Sequence, residues 1–299
     1  MSNDKKLDVI YILSEKSSGS SFLFRSLKDA LSLKHYPKTH HYESETLYWT
    51  KAASLLKKPQ IKMLASAIPY EEGRARSEIK TFLENNLTQP FSYETDEEMV
   101  FNGWYALVKE FGPVFIEKSP HHLLQWSALE LMIEFERRFA DRVNCHYICI
   151  VRNPKDVFMS QLRRWNVSPE RLENQWLITN FNWMRFSELP TTVSDKVLIR
   201  YEELTSDTKG TIKHICQKFG ISESFHGKEV AKSSKSAKHN TLFGHQFSAS
   251  VITVAMSQGY TANEVQGNTC YQWRIYRSYI SLFYSPLKVV FQKIKRVLR

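Results

Sequence analysis

Two short stretches, far apart in the chain, carry the side chains best suited to gripping anions. The first is SEKSSGSSFLF, residues 14–24, in which Lys16 precedes Ser17, Ser18, Gly19, Ser20 and Ser21. Small side chains let backbone N–H groups converge on an anion, hydroxyls add donors, and a helix start adds its partial positive charge. The pattern is a phosphate cradle in outline. It lacks the G-x-x-x-x-G-K-[ST] spacing whose lysine and hydroxyl serve a nucleotide and its Mg²⁺, which argues against metal-assisted NTP hydrolysis. The second stretch, CHYICIVRNPKDVFMSQLRRW, residues 145–165, runs an apolar segment into Arg152. A helix then starts with Pro154 in its first position and Asp156 in its first turn. Arg152, at a strand end, is expected in the crevice where open α/β sheets bind ligands, and Ser160, about two turns on, is expected to share its anion.

Positioning these groups requires strands and helices in alternation. DVIYIL (8–13), VFIEK (114–118), CHYICIVR (145–152) and KVLIRYE (196–202) are nearly continuous in apolar residues, as strands covered on both faces are. Helical spacing is clearest over 123–142, 154–165 and 208–220. Alternation of this kind predicts a three-layer α/β fold, a parallel sheet between helices with right-handed crossovers. Nothing marks a second domain, so residues 1–299 are expected to form one. The Ser/Lys cluster at 232–240 is expected as a loop. After Pro286, the segment 286–299 reads as a basic amphipathic helix, docked on its own domain or resting on an anionic membrane surface.

With 299 residues, 42% of them hydrophobic, the chain can bury a large core. Lys and Arg number 41 against 31 Asp and Glu, a net charge of +10 that favours anionic partners. The four cysteines, Cys145, Cys149, Cys216 and Cys270, are scattered, which fits a reducing, cytoplasmic setting rather than a disulfide framework or a zinc CxxC pair. The N-terminus has too short an apolar run for a signal peptide, and no stretch reaches the roughly 20 apolar residues of a membrane span.

At this point the sequence resembles the sulfotransferases that use 3′-phosphoadenylyl sulfate (PAPS). Their first loop has the form [KR]-S-G-T-[TS]-x-[LF] and binds the 5′-phosphosulfate; Ser18, Gly19, Ser20, Ser21 and Leu23 match it. The family's basic residue falls on Ser17, with Lys16 the nearest charge. Either Lys16 takes over through a loop one residue longer, or backbone groups hold the sulfate. The later R-[DN]-P-[KR]-D-x-x-x-S motif, whose arginine and serine bind the 3′-phosphate, matches as Arg152, Asn153, Pro154, Lys155, Asp156 and Ser160. The resemblance also implies that Tyr201, in a strand-YEDL-like unit, lies near the adenine. It implies that Gly267 belongs to a late loop closing over the nucleotide, and that the sheet is of the P-loop NTPase-like kind.

Sulfuryl transfer needs an in-line acceptor, charge stabilisation on the leaving phosphate and a base for the acceptor hydroxyl. Lysine and backbone donors can stabilise that leaving group, so no metal is required. The string Lys38-Thr39-His40 resembles the catalytic K-T-H of cytosolic sulfotransferases, in a segment, 36–45, where a second strand is expected to end. His40 is therefore the expected base, its ordinary pKa being near neutrality, with His41 and Glu45 as close substitutes. Glu117-Lys118-Ser119-Pro120 is similar to the E-K-[ST]-P segment of glycan sulfotransferases, whose lysine reaches the bridging oxygen of the departing nucleotide. Lys118 takes that role here, and Glu117 either orients it or is the base. His121 and His122 lack a third ligand at metal-site spacing. The acceptor implied is a hydroxyl of a carbohydrate or glycolipid, and residues 60–105 and 222–265 are expected to shape its pocket. Two other classes compete. A small-molecule kinase is disfavoured by the missing Walker lysine. A non-catalytic module for nucleic acid or another anionic ligand is disfavoured because Trp165, Trp176 and Trp183 follow helical core spacing instead of lying exposed among basic residues.

Overall fold

The four apolar runs fold as four parallel strands. The computed structural model describes residues 6–41, 44–64, 66–165, 167–190, 196–223 and 245–266, with Ile280 and Tyr284. Gly267 and the segments 232–240 and 286–299 lie outside the described residues. In chain order the elements begin β1 (Leu7–Ser14), α1 (Ser20–Ala30), α2 (Tyr48–Leu55), α3 (Glu72–Asn86), α4 (Asp96–Phe111), β2 (Val114–Lys118), α5 (His121–Leu124) and α6 (Trp126–Arg138). They continue β3 (Val143–Val151), α7 (Pro154–Arg164), α8 (Pro169–Glu188), β4 (Lys196–Arg200), α9 (Tyr201–Ser206), α10 (Thr208–Lys218), α11 (Ala249–Ser257) and α12 (Ala262–Gln266). The chain divides into two compact units, Met1–Arg152 with Thr179–Ser233, and Asn153–Ile178 with Ser234–Arg299.

The first unit holds the sheet, in the order β2-β1-β3-β4. Ile12 is in register with Lys118 of β2 and with Ile148 of β3, and Val151 with Arg200 of β4. Alternation along each strand supplies two apolar faces. Ile10, Ile12, Ile116, Ile148, Ile150, Val197 and Ile199 pack with Leu23 and Leu27 of α1, Leu204 of α9, and Ile212 and Ile215 of α10. Tyr11 and Tyr147 turn the other way and stack at 5.3 Å. On that side Trp104 of α4 donates through Nε1 to the Tyr11 hydroxyl at 2.8 Å, while Trp49 of α2 meets Trp104 and Phe135 of α6. Burial on both faces is why each strand reads as an unbroken apolar run.

Tertiary contacts override sequence periodicity in three places. The pattern over 123–142 breaks at Gln125, whose backbone is extended (φ −101°, ψ 102°) between α5 and α6. Its buried side chain pairs with both the N–H and the C=O of Ile61, each at 2.8 Å. The described residues of 36–45 form loop, not strand, and among the described residues β2 at Val114 is the next strand after β1. The strand expected over 196–202 ends at Arg200, and Tyr201 opens α9.

In the second unit Asn153 caps α7, accepting from Lys155 N at 3.0 Å, and also donates through Nδ2 to Glu264 O at 3.0 Å. Phe158 meets Phe247 edge-on at 4.9 Å, and Glu173 of α8 accepts from Ser248 N at 2.6 Å. Trp176 is buried, as its spacing predicts, and Trp165 is half-buried; Trp183, in the first unit, is buried as well. Among the described residues no helix is long and apolar enough to cross a membrane.

Candidate active site

Strand order fixes where a site can form. The crossover from β1 leads to β2 on one side, and the next leads to β3 on the other, so a topological switch point lies between the carboxyl ends of β1 and β3. The Ser/Gly loop leaves β1 there and Arg152 follows β3; the end of β2, with Glu117 and Lys118, flanks β1 on its other side.

The loop is a tight turn. Ser18 N donates to Glu15 O at 3.3 Å, and Ser17 and Gly19 both take positive φ, 69° and 96°. Gly19 then caps α1, its carbonyl accepting from Phe22 N at 2.9 Å and Leu23 N at 3.1 Å. The amides of a first helical turn have no partner within the helix, and the N-terminus carries the positive end of the dipole. The buried Glu15 carboxylate accepts from Thr179 Oγ1 at 2.7 Å. Arg152 closes the other side: its guanidinium donates to the Ser17 carbonyl at 3.2 Å and lies 4.6 Å over the Tyr201 ring. That ring packs on Gly19, where an added β-carbon would come within 2.2 Å of Tyr201 Cδ2.

Beside this loop is a buried cluster of opposite charges. Lys118, fully buried, donates to Ser21 Oγ at 3.2 Å and to Glu45 Oε1 at 3.2 Å. Glu45 Oε2 lies 3.4 Å from His121 Nδ1 and 3.7 Å from His41 Nδ1. Glu117, on the opposite side of the same strand end, accepts from Ser119 Oγ at 2.6 Å and Thr46 Oγ1 at 2.8 Å, with His122 Nδ1 3.3 Å away. Ser119 Oγ accepts in turn from Leu47 N at 3.0 Å, so Glu117 and Ser119 pin the residues that follow Glu45.

Electrostatics follow from this packing. Burial pushes the Glu117 carboxyl up, but the His122 ring and the Ser119 and Thr46 hydroxyls outweigh it and hold the group below the usual carboxylate range. Burial, joined by Lys16, His122, His41 and Lys118, holds the His121 imidazole well below its ordinary value. Burial also lowers the Lys16 ammonium, against the pull of Glu15 and Glu45. Lys16 Nζ donates to Leu64 O at 2.9 Å.

The structure thus brings Lys16, Ser17, Ser18, Gly19, Ser20, Ser21, Arg152 and Tyr201 around one turn. It places His41, Glu45 and Lys118 in one cluster, with Glu117 alongside. His40 is exposed, with no hydrogen bond or ion pair to another described residue. Ser160 is half-buried on α7, in the second unit. Sequence reasoning missed His121, Thr46 and the Leu64 carbonyl. The Glu-Lys-Ser-Pro-His-His string carried a signal for His121, but its partner Glu45 is far away in the chain. Among the described residues there is no group of three or more His, Cys, Asp or Glu placed to hold a metal ion.

A parallel sheet with a tight glycine turn between its first strand and first helix, and an arginine at a neighbouring strand end, defines an α/β protein with a P-loop-like fold. The description of the sulfotransferase family matches residues 9–225, and the chain belongs to that family. Among solved structures it is similar to the sulfotransferase domain from the Synechococcus PCC 7002 olefin synthase, with a TM-score of 0.50 and 18% identity over 87% of this chain and 98% of that one. That likeness is one of fold. No curated protein matches the chain significantly.

Proposed function

We propose that the chain moves a sulfuryl group from PAPS to a hydroxyl of a carbohydrate or glycolipid. The observation that carries this reading is the place of Lys118: its ammonium stands 3.2 Å from Ser21 Oγ of the anion loop and 3.2 Å from the Glu45 carboxylate. One cation therefore touches both the turn suited to a leaving phosphate and a carboxylate able to take a proton.

The residues fit a phosphosulfate nucleotide. The Gly19 turn has no room for a β-carbon, and the buried Ser17 hydroxyl has no hydrogen-bond partner among the described residues. When bound, PAPS supplies an activated sulfuryl group on a phosphate leaving group. The amides and hydroxyls of Ser18 to Ser21 hold the 5′ side, with Lys16 and Lys118 supplying positive charge. Arg152 holds the 3′-phosphate, and Tyr201, under the guanidinium, is the residue for the adenine. Glu45 is the base in this reading. Glu117, occupied by Thr46 and Ser119, orients the segment that carries Glu45.

The acceptor class is supported by the Glu117-Lys118-Ser119-Pro120 resemblance and by the charge of +10. The buried free thiols Cys145, Cys149 and Cys216 support a reducing, cytoplasmic setting. Peripheral contact with an anionic membrane through residues 286–299 belongs to the same proposal. Calorimetry with 3′-phosphoadenosine 5′-phosphate (PAP) tests the donor assignment. The parent binds PAP, and Arg152→Ala weakens it by about tenfold or more, as loss of a charge-assisted contact does. ATP binding without PAP binding by the parent sinks the reading. Undiminished PAP binding by Arg152→Ala sinks the 3′-phosphate assignment.

A further inference from the structure

Two imidazoles and one ammonium converge on the Glu45 carboxylate. Lys118 takes Oε1, while His121 Nδ1 and His41 Nδ1 approach Oε2 at 3.4 Å and 3.7 Å. The two histidines differ in access: the His121 side chain is 11% exposed and that of His41 is 36%. His121 Nδ1 and Glu45 Oε2 are both buried without a hydrogen bond to any described residue, although they lie 3.4 Å apart. Two buried polar atoms that face each other unbonded are costly, and one proton shared between them satisfies both.

We propose that His121 belongs to the proton path of the transfer, taking onto Nδ1 the proton that Glu45 removes from the acceptor hydroxyl. This rests on the reading of Glu45 as base, and His121 acts through Glu45. In the balanced step the acceptor O–H bond breaks and its electron pair forms the new O–S bond. The S–O bond to the leaving phosphate breaks, its pair staying on the phosphate. The proton passes to Glu45 Oε2 and on to His121 Nδ1. Glu45 is thereby returned to its charged form beside Lys118; the proton later returns through Oε2 to half-exposed His41, on the same oxygen, which passes it to solvent.

The surroundings suit a transient holder of a proton. Lys16 faces His121 from the loop after β1, Lys118 from β2, His41 and Glu45 from the loop before α2, and His122 from its own helix. Burial and these mostly cationic neighbours keep the His121 ring neutral at pH 7, and a neutral imidazole has one ring nitrogen able to accept a proton. The same neighbours press a proton to leave.

Two measurements test this on the full chain. In histidine-labelled protein followed by NMR, the His121 ring stays neutral well below the ordinary histidine pKa of about 6.5, and its titration moves in Glu45→Gln. An ordinary titration that Glu45→Gln leaves unmoved overturns the proposal, whether or not any His121 variant folds. In kinetics, His121→Asn lowers kcat about a hundredfold and reshapes the pH profile of kcat, with PAP affinity and the donor KM unchanged. His121→Gln is the second variant, and thermal melting checks that each is folded. Parental kcat and pH profile in a folded variant that binds PAP overturn the His121 inference alone. Failure of the parent to bind PAP removes the sulfuryl-transfer reading and this inference with it.

Discussion

The Tyr201 ring lies so close to the α-carbon of Gly19 that a β-carbon there would meet ring carbon Cδ2 at 2.2 Å. Gly19 also has φ +96°, a region that L side chains rarely adopt. The first turn of α1 and the start of α9 are thus locked together, and Arg152 stacks on the same ring. Gly19→Ala must strain the turn and displace Tyr201, and with it the face that supports Arg152. The expected outcome is a loss of about 1–2 kcal/mol in chemical unfolding and a fall in PAP affinity of at least about tenfold by calorimetry. Parental affinity in the variant means that the turn does not touch the nucleotide.

Lys16 stands where the family's basic residue is one position out of place, and burial lowers its pKa. A lysine with a depressed folded pKa binds its proton less well folded than unfolded. Its charge therefore costs stability at neutral pH, and the cost fades as pH rises from the folded value toward the unfolded value of about 10.4. Lys16→Met should match or exceed the parent in urea unfolding at pH 7, the parent gaining on it as the solution turns alkaline. The same variant should bind PAP about tenfold more weakly if Lys16 supplies the 5′ charge. Unchanged affinity assigns that side of the nucleotide to backbone groups and Lys118.

Glu117 has the opposite linkage. Its folded pKa is held below the unfolded carboxylate value of about 4.3, so its charged form stabilises the fold above that pH. That contribution is lost as pH falls through the folded value. Glu117→Gln, which leaves Thr46, Ser119 and His122 around a neutral amide, should cost about 3 kcal/mol at pH 7. The gap between parent and variant should close as the solution is taken below about pH 4. Thermal unfolding across that range measures it, and a constant gap rules out a stabilising charge at this position.

These expectations also mark what was legible in the sequence. The four strands were, because strands covered on both faces keep an unbroken apolar run. So were the turn at Ser17 to Ser21 and the position of Arg152, since each depends on neighbours close in the chain. The pairing of Lys118 with Glu45 spans 73 residues and leaves no local pattern. Nothing near His121 in the chain points to its partner, because Glu45 is equally remote. The position of segment 36–45 predicts a strand end, yet Lys38 gives its N–H to Asn86 Oδ1 at 2.6 Å and takes Asn86 Nδ2 on its carbonyl at 3.0 Å. One buried amide on α3 thus occupies backbone groups that a neighbouring strand would otherwise use. No property of residues 36–45 alone announces that competitor.

The most direct test of the account is transfer of ³⁵S from labelled PAPS to a panel of hydroxylated glycans and glycolipids, run with the parent and with Lys118→Ala. Lys118 Nζ touches both Ser21 Oγ and Glu45 Oε1, at 3.2 Å each. The account predicts that the parent labels an acceptor and that Lys118→Ala loses at least about a hundredfold in rate while still binding PAP. Transfer by Lys118→Ala at the parent's rate, or binding of PAPS by the parent with no label reaching any acceptor hydroxyl, would contradict it.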